Sequence, residues 1–187
     1  MNIIGISGPA QSGKDTVANV LVDEFNFTKV SFADGVRDFM VRLDPMLEHL
    51  NGNPVRLSTL LRDLYDWEWL KANTNARDHM VAIGAGAREV MGNDVWIRTA
   101  FLKMQQEPWR SYVIPDCRYA NEAYEIRRRG GEVWGVTRPG FDPVNAEEAR
   151  SLKMFTADRA VLNGRGMDDL QSYVRSLGVM GQMTLKV

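Results

Sequence analysis

The sequence predicts an α/β fold, a parallel sheet of about five strands with helices on both faces. Three observations lead to it. The stretch "NIIGISGPAQSGKDTVANVL" reads as a strand, a glycine-rich loop and a helix in direct succession. Four further β-branched or apolar runs follow it, each compatible with a short buried strand. Helical periodicity separates these runs, and strands that alternate with helices form parallel sheets covered on both sides.

The elements follow in order. Asn2 to Ser7 is the first strand, and Val17, Val20, Leu21 and Phe25 recur at helical spacing after the loop. Thr28 to Ala33 is the second strand. A helix then starts near Asp34, with Val36, Phe39, Met40 and Leu43 on one face. From Asp44 the texture changes: "DPMLEHLNGNP" is turn-rich, and helical patterns cover Leu57 to Leu70, Ala76 to Met91 and Asp94 to Met104 with no strong strand. Residues 44–107 therefore read as a helical insertion within a single domain, 1–187. "SYVIPDCR" returns to strand chemistry, with Pro115 at the strand end where its missing N–H does little harm. A helix from Ala120 closes at Gly130-Gly131. Glu132 to Thr137 is a strand, Ala146 to Leu152 a short helix capped by Asn145 with Glu148 three residues on, Arg159 to Asn163 the last strand, and Met167 to Leu177 the last helix.

Composition narrows the class. Hydrophobic residues at 44% and charged residues at 25% give an ordinary globular balance, which excludes a disordered or fibrous chain. A formal net charge of −1 gives no long-range pull toward polymeric nucleic acid or an anionic membrane. Cys117 is the single cysteine, so no internal disulfide forms and a reducing, cytoplasmic setting is expected. With only His49 and His79 beside it, a structural zinc site is not expected. The N-terminal apolar run is short and meets Gly8-Pro9 at once, so neither a signal peptide nor a membrane span is expected.

The chemistry concentrates in the opening loop. Gly8, four residues, Gly13 and Lys14 match G-x-x-x-x-G-K-[S/T], except that Asp15 stands where Ser or Thr is usual. Backbone N–H groups of such a loop and of the first helical turn lack helical acceptors and can bind an anion. The glycines allow backbone to approach phosphate, and Lys14 adds a compact positive charge. Asp15 can ligate Mg²⁺ or simply suit the positive end of the helix dipole, and Thr16 offers a hydroxyl. A second group falls at another strand end, where open parallel sheets bind ligands. Asp116 there can hold a metal or orient the attacking oxygen, and Arg118 can fork onto a phosphate. Glu122 lies one helical turn from Arg118 and can pair with it. The run Arg127 to Arg129 reads as a solvated helix end, and Cys117 as a small buried residue. Arg37 opens the helix after the second strand, where a phosphate would otherwise meet bare backbone. Trp67, Trp69 and Trp96 can stack on a base or fill a core.

Three stretches, "SGPAQSGKDT", "AREVMGNDVWI" and "VIPDCRYANEAYEIRRRGGEVWGVTRPG", resemble the phage deoxynucleoside monophosphate kinases, members of the P-loop nucleoside monophosphate kinase fold. The resemblance runs in order from Asn2 to about Leu177, and relatives also carry G-K-D-T. It implies transfer of the γ-phosphoryl of ATP to a dNMP with Mg²⁺, giving dNDP and ADP. By match, Gly8, Gln11, Ser12, Gly13, Lys14, Asp15 and Thr16 would hold ATP, with Asp15, Thr16 and Asp116 at the metal. Val36, Arg37, Trp69, Arg77, Arg88 and Trp96 would serve the monophosphate, together with Asp116, Arg118 and Glu122. Lys14, Asp116 and Arg118 would carry the chemistry. Arg138 and the segment 138–158 would correspond to a lid, and Asn163-Gly164 to a loop bordering the adenine. The resemblance also implies a homodimer and, for a phage protein, the host-cell cytoplasm. Val81 and Gly86 replace a glutamine and an acid usual in the family. The rival readings are a kinase for another small phosphorylated acceptor and a nucleotide-binding module without catalysis.

Overall fold

The computed structural model describes residues 2–48, 52–63, 65–164 and 166–180. Its elements run β1 Ile3–Ser7, α1 Lys14–Phe25, β2 Phe27–Lys29, α2 Asp34–Leu43, β3 Met46–Glu48, β4 Pro54–Arg56, α3 Leu57–Arg62, α4 Trp67–Asn73, α5 Ala76–Met91 and α6 Val95–Gln105. Then come β5 Ser111–Ile114, α7 Ala120–Arg128, β6 Glu132–Thr137, α8 Ala146–Ser151, β7 Arg159–Leu162 and α9 Met167–Met180. They form two compact units, one of Met1–Phe32 with Ala100–Val187 and one of Ala33–Thr99.

The first unit is built on a five-stranded sheet in the order β2-β5-β1-β6-β7. Every pairing in it is parallel. The register pairs Gly5 with Ile114, Ser7 with Gly135 and Thr137 with Leu162. The loops after β1, β5, β6 and β7 therefore leave from one edge of the sheet, the edge where parallel sheets bind ligands. Side chains alternate across the central strand. Ile4 and Ile6 join a core with Val17 and Leu21 of α1, Trp134 and Val136 of β6, and Leu170 and Val174 of α9. Gly5 faces the opposite side, where a Cβ would come within 2.5 Å of the Cδ1 of Ile126 on α7. Both faces are thus covered, and β1 is buried along its whole length.

The second strand stops earlier than Thr28 to Ala33 suggests. The ladder continues through Val30, whose N–H donates to the Val113 carbonyl at 3.0 Å. Ser31 and Phe32 then turn their donors to the Asp116 carboxylate, so the chain leaves the sheet there. The arginine run is more than a solvated helix end. Arg127 donates to both oxygens of Asp158 at 3.1 and 3.0 Å, and Asp158 also accepts from the Val133 N–H. Arg128 and Arg129 both donate to Glu125, and Arg129 lies 3.8 Å over the Phe101 ring.

The second unit contains α2, the β3–β4 hairpin, α3, α4, α5 and the start of α6. It begins upstream of Asp44 because Val36 and Met40 of α2 pack with its other helices. The turn-rich stretch after Asp44, read above as lacking a strand, holds an antiparallel hairpin that pairs Leu47 with Val55. Each strand has three residues, and in the first only Leu47 is buried, too little for an alternating pattern to be visible. His49 lies outside the described residues. Leu57 to Leu70 is two helices, because the Asp66 carboxylate accepts from the Trp69 N–H and starts a new one. On α2, Val36 and Met40 are buried, whereas Phe39 and Leu43 are exposed. Among the described residues no helix is long and apolar enough to cross a membrane.

Trp134 is fully buried at the centre of the sheet core. Trp134→Ala is expected to lower the unfolding free energy by about 3–5 kcal/mol. Urea unfolding followed by circular dichroism checks this, and a loss below about 1 kcal/mol would contradict the packing of α1 and α9 on β6.

Candidate active site

The loop between β1 and α1 is shaped by two glycines. Gly8 has φ +148° and Gly13 φ +105°, backbone that favours glycine. A Cβ on Gly8 would come 2.2 Å from the Val136 carbonyl oxygen, and one on Gly13 would come 2.7 Å from the Asn163 amide nitrogen. Gln11 also takes a left-handed conformation, with φ 61°.

Side chains hold the loop by its carbonyls. Lys14 Nζ donates to the carbonyls of Gly8 at 2.8 Å and Pro9 at 2.5 Å. Arg138 Nη1 reaches the Gln11 carbonyl at 3.4 Å, and Asn163 Nδ2 donates to the Ser12 carbonyl at 3.0 Å. Within the loop itself the Ser12 N–H donates to the Pro9 carbonyl at 3.2 Å. Ser12 Oγ is buried, with no hydrogen-bond partner among the described residues. Lysine at the mouth of such a loop is a cation set among dipoles. Burial pulls the Lys14 pKa below the ordinary lysine value. Glu148 and Asp15 oppose that shift, and the nearby Arg118 guanidinium adds to it.

Asp15 is exposed and pairs with Lys29 Nζ at 3.0 Å, a solvent-screened contact that leaves its carboxylate accessible. Thr16 follows it, half-buried, in the first turn of α1. Asp116 lies just past β5, held by the Ser31 hydroxyl at 2.5 Å and the Phe32 N–H at 3.1 Å. Arg118 is exposed two residues on. Glu122 has a role that the sequence reading assigned elsewhere: it is buried, and its Oε2 accepts from the main-chain N–H groups of Arg118 at 2.6 Å and Tyr119 at 2.9 Å. It therefore caps α7 and fixes the backbone that carries Arg118. The Cys117 thiol is buried, and that burial pushes its pKa well above the ordinary value, so it is no nucleophile.

A cavity of about 300 Å³ opens at this edge of the first unit. Gln11, Gly13, Lys14, Asp15 and Thr16 form one wall, and Arg138 and Asn163 another. Gly166, Met167 and Leu170 complete it, three residues that the sequence reading did not single out. Their signal was their position just after the last strand, at the ligand-binding edge.

The remaining candidates lie in the second unit. Val36 packs against Met80, Ile83 and Ala87. Trp96 is a core residue there: it is 6% exposed, packs in the same cluster, and its indole N–H donates to the Gly84 carbonyl at 3.0 Å. Arg37 Nη1 pairs with Asp34 at 2.7 Å, while its buried Nε has no partner among the described residues. Trp69 stacks on Tyr65, with ring centroids 3.9 Å apart. Arg77 is exposed, and Arg88 is half-buried.

No family model matches the chain. Among solved structures it is similar to the dephospho-CoA kinase from Campylobacter jejuni, with a TM-score of 0.54, 15% identity and coverage of 98% of both chains. The fold is that of the P-loop kinases. A curated protein described as "Putative deoxynucleotide monophosphate kinase", from Acanthamoeba polyphaga mimivirus, is 26% identical over 192 residues, covering 94% of this chain and 95% of that protein.

Asn163→Ala would leave the Ser12 carbonyl without its buried donor. The expected loss is about 1–3 kcal/mol of unfolding free energy. Chemical denaturation measures it, and an unchanged midpoint would mean that this hydrogen bond does not hold the loop.

Proposed function

We propose that the protein transfers the γ-phosphoryl group of ATP to a deoxynucleoside monophosphate, giving a deoxynucleoside diphosphate and ADP. The observation that carries the reading is the cavity walled by Gly13, Lys14, Asp15 and Thr16 at the start of α1. Helix-start amides and a lysine ammonium favour a polyphosphate. The buried, unpartnered Ser12 Oγ in the same loop is a further polar group suited to it. The description of the mimivirus relative as a "Putative deoxynucleotide monophosphate kinase" supports the acceptor class.

The residues present also fit magnesium. Among the described residues no group of three or more His, Cys, Asp or Glu gathers to cage a metal. Mg²⁺ needs none, since one carboxylate with phosphate oxygens and water suffices. Asp15 and Thr16 would hold the ion, which when bound neutralises charge on the phosphates.

The attacking group is an oxygen of the acceptor's phosphate, already ionised at neutral pH, so the reaction needs no strong base from the protein. A bond forms from that oxygen to the γ-phosphorus, the bond to the β-bridging oxygen breaks, and the electron pair leaves with ADP. The chain supplies position and charge. Lys14 sits where negative charge builds, and its neighbours Glu148 and Asp15 favour the ammonium form. Asp116, fixed by Ser31 and Phe32, is a stationary acceptor at the end of β5 suited to orienting the acceptor nucleotide. Arg118 adds exposed positive charge near Lys14. Met167 and Leu170 offer the cavity an apolar wall suited to a base. Within the second unit, Arg37 carries a buried Nε with no partner among the described residues, a donor suited to a phosphate. Segment 138–158 acts as a lid that keeps water from the γ-phosphate.

Lys14→Met is expected to lower turnover by about 10²–10³, as loss of a preorganised charge-stabilising donor does. The measurement is ADP release with dAMP, dGMP, dCMP and dTMP supplied separately. ADP release that no deoxynucleotide stimulates would refute the acceptor class, and near-native turnover of Lys14→Met would refute the role of Lys14.

A further inference from the structure

The phosphate-binding loop is held by donors at the carbonyls of Gly8, Pro9, Gln11 and Ser12. At Ala10 the polarity reverses. Its N–H donates to Glu148 Oε1 at 2.9 Å, across 138 positions of sequence. The other oxygen, Oε2, accepts from the Val144 N–H at 2.8 Å. One carboxylate thus joins the loop to the segment that begins α8. The backbone of Glu148 is itself fixed, because its N–H donates to Asn145 Oδ1 at 2.8 Å.

We propose that Glu148 is a positioning residue for ATP, holding the phosphate-binding loop in its binding shape through the Ala10 amide. This inference rests on the kinase reading above. A loop with one internal backbone hydrogen bond is costly to order, and ordering it before the ligand arrives improves affinity. Charge-assisted bonds to a carboxylate suit that task. The geometry also explains why glutamate is needed. Two amides point at two oxygens, and a glutamine would offer an oxygen to one amide and an NH₂ group to the other. The opposing effect is repulsion between a carboxylate and a polyphosphate, which predicts the reverse sign on removal.

The test compares wild type, Glu148→Gln and Glu148→Ala by steady-state kinetics with varied ATP and varied acceptor, and by calorimetry with MgATP. Glu148→Gln is nearly isosteric and keeps the comparison meaningful should Glu148→Ala fold poorly. The expected result is an ATP KM and dissociation constant raised about tenfold in both variants, the size set by one amide left unpaired. The acceptor KM should stay within about twofold, since no acceptor contact is removed. A kcat that falls in step with the folded fraction while the ATP KM stays put would mark a purely structural role and overturn the proposal. Equal or tighter ATP binding in Glu148→Gln would overturn it too, by showing that the carboxylate only competes with phosphate. Wild type that binds MgATP while the variants match it sinks this inference alone, whereas wild type that binds none sinks the kinase reading with it.

Discussion

A hydrogen atom is the largest group that fits on the Cα of Gly8 beside the Val136 carbonyl. That close pass follows from the pairing of β1 with β6, which carries the end of the first strand against the middle of its neighbour. It makes the chain swing into a loop rather than continue the ladder. Gly13 repeats the condition at the far end, where the Asn163 amide occupies the space a side chain would need. Between these two contacts the backbone has little choice of path. The site at the sheet edge inherits its shape from them.

Satisfying the carbonyls leaves the loop's chemistry directed one way. A peptide group that gives its oxygen to a lysine, an arginine or an asparagine has its N–H turned elsewhere. Several side chains far apart in sequence therefore fix one loop, with Lys14 both bracing it and adding charge to it. The cap on α7 works by the same logic. Glu122 binds two backbone amides beside Arg118, so a buried carboxylate sets the place of an exposed guanidinium without pairing to it.

Much of the first unit was legible in the sequence because its signals are local. The strand before Gly8 and the helix after Lys14 show unmixed periodicity, and Asn145 caps its helix where expected. Glutamate at position 148 satisfied a local rule and so concealed a long-range one, since the pattern of a capping box is the same whether or not the carboxylate also meets a distant loop. The hairpin at Leu47 was invisible because one inward residue cannot make a pattern. Trp96 was ambiguous for a different reason. Large aromatics suit both a base and a core, and only burial decides. Met167 and Leu170 carry no motif and line the cavity through topology alone.

Cys117 sits directly after Asp116, yet its sulfur is sealed under the sheet edge and its thiol resists ionisation. Alkylating and oxidising reagents attack the thiolate, so the folded protein offers them almost nothing. A sulfur in that place acts as a built-in reporter. Its rate of modification by a maleimide counts how often the strands around it part, and that clock runs independently of any turnover assay.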